Sequence, residues 1–128
     1  MNSAPRRIAI AAGLFGFIGV ALGAFGAHAL KETLTLHSSA ITWQTAVLYH
    51  LVHSVALLAV TRGVPAESIV IVWVARFWVA GILFFSGSLY WLALGGPKFL
   101  GPITPIGGLA FLLGWAFVAW DSYRSSKA

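Results

Sequence analysis

Four long apolar runs separated by short polar breaks dominate the chain. Ile8–Ala27 holds no ionisable residue, Trp43–Thr61 carries His50 and His53, Ile69–Leu94 carries Arg76 near its beginning, and Ile103–Trp120 is uncharged. About 20 residues rising 1.5 Å each cross a hydrocarbon core of ~30 Å, so the pattern predicts four transmembrane helices. Pro65 and Ser68 stand ahead of the third run as helix-start residues, and Thr104-Pro105 reads as an N-cap followed by a proline at the first helical position of the fourth. Between the first two runs, His28–Thr42 mixes Lys31, Glu32 and His37 with leucines and is expected to form a short interfacial helix. Gly95–Gly108, rich in glycine and proline, is expected to make an irregular entrance to the fourth span.

Composition sharpens the class. Of 128 residues, 59% are hydrophobic and 9% charged, where about 25% charged is usual in soluble domains; mean hydropathy is +0.90. A water-facing surface cannot be made from so few charges. Soluble enzymes, disordered tails and nucleic-acid-binding modules are therefore excluded, and the expected fold is an all-α integral membrane four-helix bundle in one domain spanning residues 1–128. A net charge of +5 does not imply a nucleic-acid partner, because the basic residues are scattered between the spans as topology signals. Arg6, Arg7, Arg62, Arg124 and Lys127 fall on one side of a four-span topology and Lys31 and Lys98 on the other, which predicts that both termini face the cytoplasm. A cleaved signal peptide is the rival reading of the first run, with Ala27-His28-Ala29 resembling a cleavage site, but the run exceeds the roughly 7–15 residues of a signal core. The absence of cysteine removes disulfides, thiolate catalysis and iron–sulfur ligation.

Small residues gather on one face of the first span. Ala9, Ala12, Gly16, Gly19, Gly23, Gly26 and Ala27 fall together at 100° per residue, with Gly19 and Gly23 forming a G-x-x-x-G; the fourth span repeats the device with Gly107, Ala110 and Gly114. Two readings are open: the first and fourth spans pack against each other within one chain, or the first span self-associates between chains. The intramolecular packing is the expectation.

Polar groups within spans are costly and are functional suspects. His50 and His53, at i, i+3, lie on one helix face. Interhelical hydrogen bonds, a haem or metal site, a proton relay and a quinone contact are the competing readings. No intramembrane carboxylate completes a metal site, and neighbouring histidines on one helix cannot clasp a haem from both sides, so neither metal nor cofactor is expected. Ser86, Ser88 and Tyr90 lie at a similar depth on the third span, and at least one is expected to bond a histidine. Arg76 lies eight residues after Ser68, about 12 Å along a helix. It is expected either to snorkel to the surface or to pair with Asp121; a functional Arg76 would hold an anionic headgroup or substrate. No nucleophile with a base, carboxylate pair or phosphate loop is present, so no enzymatic activity is expected.

Gly23-Ala-Phe-Gly-Ala-His-Ala-Leu30, Trp43 with Tyr49-His50-Leu-Val-His53, Phe85-Ser-Gly-Ser-Leu-Tyr90, Ile103-Thr-Pro-Ile-Gly-Gly108 and Gly114-Trp115 closely resemble the domain of unknown function 423 family along nearly the whole chain. The resemblance implies a small four-helix protein of bacterial inner membranes, with mitochondrial relatives called transmembrane protein 256, and it brings no established activity, cofactor or substrate. It directs attention to His28 and Thr104 on the outer side as well as to His50, His53, Ser86, Ser88 and Tyr90. The resulting expectation is a non-enzymatic membrane protein that packs with itself or with a larger membrane complex. The alternative is a minimal homo-oligomeric transporter or channel for a small solute or proton, using His50, His53 and Arg76.

Overall fold

The computed structural model describes residues 3–62, 65 and 67–128. Helix α1 (Ala4–Ala27) begins on Pro5 in its first turn, where the missing proline N–H is not needed. A short α2 (Lys31–Leu36) follows as expected, then α3 (Ala40–Ala59). The third span consists of α4 (Ile69–Gly81), a π-helical turn (Ile82–Ser86) and α5 (Gly87–Ala93) in unbroken succession. Ser68 caps α4, its Oγ accepting the Ile71 N–H at 3.5 Å. Helix α6 (Ile103–Ser125) completes a four-helix bundle whose four spans are each long and apolar enough to cross a membrane.

Two details of the α5–α6 connection differ from expectation. The stretch after Gly95 is irregular only as far as a 3₁₀ turn at Lys98–Leu100, and the chain is helical from Ile103. Thr104 is accordingly inside the first turn and is not the N-cap, which is Pro102. Gly95 itself has φ +89°, and a side chain there would meet the His37 ring; this is a position only glycine fills without strain.

The packing order corrects the pairing of spans. α1 lies along α3, α6 lies along α4 and the π turn, and α3 joins the two pairs through the π turn and α5; among the described residues α1 and α6 form no packed interface. The small face of α1 is used against α3 instead. Gly16 approaches Ser54, Gly19 approaches Leu51 and the His50 ring, Gly23 approaches Val47, and a methyl at Gly26 would overlap the Trp43 indole. On α6, Gly107 lies against the backbone of Phe84 and Phe85, and Gly114 against the Trp78 indole. Glycine spacing specified close approach correctly, but it carries no label for the partner helix.

One core cluster joins Ala12, Leu57, Val74, Ala75, Trp78, Ile82 and Phe111. A second, smaller cluster joins Leu34, Trp43 and Ala93 where α2 tucks against α3 and α5.

Candidate functional site

The polar residues of the second and third spans meet along the line where α3 faces the π turn and α5. His53 is 4% exposed. Trp115 Nε1 donates to its Nε2 at 3.0 Å, and an indole N–H can only donate. Nε2 is therefore the acceptor, and Nδ1 carries the proton that goes to the Tyr49 carbonyl at 2.8 Å. Both ring nitrogens of a neutral imidazole are satisfied. The ring is also stacked on Phe111, with centroids 3.7 Å apart, so His53 is fixed in orientation by a side chain on each side.

His50, one turn earlier and 3% exposed, places Nδ1 3.0 Å from the Tyr90 hydroxyl. Of the three hydroxyls expected to reach a histidine, Tyr90 does so. Ser86 Oγ donates instead to the Ala46 carbonyl at 2.8 Å, and Ser88 Oγ pairs with Thr104 Oγ1 at 2.6 Å. His50 Nε2 is buried without a hydrogen bond of full geometry among the described residues, on the side where α1 passes at Gly19 and brings the Phe15 backbone to the ring.

Further polar contacts fasten the remaining elements. Ser39 Oγ donates to the Ala93 carbonyl at 2.5 Å, satisfying the end of α5, and Trp43 Nε1 donates to the Leu22 carbonyl at 2.9 Å across α1 and α3. Trp43 is buried. These contacts, with that of Trp115, were not anticipated. The available signal was that a buried indole N–H needs an acceptor, which makes each deep tryptophan a hydrogen-bond donor as well as a packing residue. Trp78 is the exception: it is fully buried and its Nε1 has no partner among the described residues.

Arg76 and Asp121 do not pair. Arg76 is exposed and lies over the Trp73 ring, 5.1 Å from its centroid, whereas Asp121 lines a different groove with Ser68 and Ser122. Arg76 faces away from α6 into a groove shared with α1, which explains why the carboxylate on α6 is out of its reach. His28 is exposed at the C-cap of α1, while Thr104 is bonded to Ser88; no contact joins His28 and Thr104 among the described residues. Nor do Thr104, His50, His53 and Arg76 form one polar path, because the hydrogen bonds of the first three end in Ser88, Tyr90 and Trp115, and below His53 the core is closed by Leu57, Val74 and Trp78.

What this arrangement does chemically is join helices: apart from the His53–Tyr49 bond within α3, each hydrogen-bonded pair named connects two spans or anchors a helix end. The chain is thus a multi-pass α-helical membrane protein with a hydrogen-bonded polar seam at its centre. The family described as Protein of unknown function (DUF423) matches residues 22–108, and the chain belongs to that family. It is 42% identical over 115 residues to the UPF0382 membrane protein of Haemophilus influenzae, covering 89% of this chain and 91% of that one. It is 41% identical over 124 residues to the UPF0382 inner membrane protein YgdD of Escherichia coli K12, covering 95% and 93%. No solved structure matches. The chain is a multi-pass inner-membrane protein.

Proposed function

We propose that the protein is a non-enzymatic packing or accessory component of a larger membrane complex, oriented with both termini in the cytoplasm. The observation that carries this reading is the asymmetric attachment of α1. Its small face is spent on α3, it barely touches α4, and its other side presents an apolar stripe at i, i+4, i+7 spacing in which Leu14 is 61% and Phe17 77% exposed. A helix held on one side in this way offers a docking edge to another membrane protein. The polar side chains support the same reading, since those of the seam are engaged in joining helices and, among the described residues, leave no acid–base pair facing a cavity. Transport through His50, His53 and Arg76 would require a continuous path, and these residues face different surroundings.

The test is native mass spectrometry after gentle extraction from the native membrane, with an absorption spectrum of the same sample. A membrane protein should co-purify in fixed ratio and be lost on Leu14→Ala/Phe17→Ala with the fold intact. A homo-oligomer carrying no second polypeptide would reject the accessory reading and move the question to a flux assay of His50→Ala.

A further inference from the structure

Between the first half of α1 and α4 lies a groove of about 530 Å³. Its wall is apolar apart from two cations: Arg7, in the first turns of α1, and Arg76, on α4. Both are exposed, and neither forms an ion pair among the described residues; the recorded contact of Arg76 is the Trp73 ring. None of the three acidic side chains lines this groove: Asp121 is in another groove, Glu32 is on α2, and exposed Glu67 lies two residues before α4. Two guanidinium groups lining one apolar channel give it a single sign of charge, which favours an anion there. A free phosphate would match the cations and leave the apolar wall bare. A molecule with an anionic head and a hydrocarbon tail matches both.

We propose that this groove binds one anionic phospholipid, its phosphate held by Arg7 and Arg76 and an acyl chain lying along Ala11, Val79, Leu83 and Phe84. The groove reaches along α4 and into the π turn, from Val72 to Phe84, about 18 Å of helix, which gives a chain room to follow the helices from the headgroup region toward the bilayer centre. Arginine suits the head because its planar fork meets phosphate oxygens in pairs, and basic pockets between transmembrane helices are recognised headgroup sites. The slight contact between α1 and α4 then has a cause: the lipid fills the wedge that side chains leave open. The proposal does not depend on the accessory role.

The experiment is lipid titration of the purified full chain in mild detergent, read by native mass spectrometry with phosphatidylglycerol and phosphatidylcholine of identical acyl chains. One phosphatidylglycerol should bind in preference to phosphatidylcholine. Arg7→Gln and Arg76→Gln should each weaken it about fivefold, while Arg124→Gln, a cation outside the groove, should leave it unchanged. Ala80→Phe keeps both cations and fills the channel, and should also reduce retention. Circular dichroism checks each fold; should Arg76→Gln fail to fold, Arg7→Gln and Ala80→Phe carry the test. Equal retention of the two lipids overturns the proposal, as does a loss in Arg124→Gln matching that in Arg7→Gln. A second polypeptide displaced by Ala80→Phe, with lipid binding untouched, would assign the groove to a protein partner instead.

Discussion

At the scale of single residues, the two histidines divide the work of one helix face. His53 is saturated by Trp115 and Tyr49, while His50 has one side-chain hydrogen-bond partner among the described residues, Tyr90, with the Phe15 backbone nearby. Tyr90→Phe removes that partner with almost no change of volume and leaves Nδ1 of a buried imidazole unbonded. Hydrogen bonds between transmembrane helices average about 0.6 kcal/mol, but an orphaned buried group costs about 1–3 kcal/mol; a destabilisation of about 1 kcal/mol is expected, since the unfolded chain in a bilayer finds other partners. In a His50→Leu background there is no imidazole left to orphan, and Tyr90→Phe should be close to neutral. Reversible unfolding in mixed micelles measures the cycle, and equal costs in both backgrounds would show that the Tyr90–His50 contact contributes nothing. That a hydroxyl of the third span meets a histidine was legible from depth alone. Which of three hydroxyls does so was not, because the π turn changes the rotation of α5 relative to α4 and no feature of Ile82–Ser86 announces it.

At the scale of elements, the π turn is where the bundle is tightest. Gly87 N–H returns to the Ile82 carbonyl across five residues, Ser86 reaches over to α3, and Gly107 of α6 presses on the Phe84–Phe85 backbone. Backbone cannot rotate away as a side chain can, so Gly107→Ala is expected to force α6 off the third span at a cost of about 2 kcal/mol or more. Gly13 has open space around it, and Gly13→Ala should be neutral or gain up to about 1 kcal/mol from helix propensity. Thermal unfolding of the two variants side by side checks both signs; comparable losses would mean that propensity, and not contact, governs these glycines. The four spans were readable because burying backbone in hydrocarbon demands long uncharged helices. Their neighbours were not, since periodicity reports the face a helix turns inward and says nothing of what it meets there; α1 was expected on α6 and found on α3.

At the scale of the whole molecule, the packing order makes α1 the most weakly integrated span. α4 and α6 share the larger core cluster with Leu57 of α3, whereas α1 contributes Ala12 to it, with Ile8 and Phe15 at its edge, and otherwise depends on its glycine face and the Trp43–Leu22 hydrogen bond against α3. Gly19→Leu drives a branched side chain into Leu51 and the His50 ring, and overpacking of this kind costs about 1–3 kcal/mol. Because the contact lies within one chain, the loss should appear in monomeric protein and be independent of protein concentration. It should also be local: amide hydrogen exchange ought to accelerate along α1 and the facing turns of α3, while α4 and α6 keep their protection, as expected when a protein opens by cooperative parts. Concentration-dependent destabilisation would place the glycine face between chains, and uniform acceleration across all four spans would show that the bundle unfolds as one unit in which α1 is as firmly held as the rest.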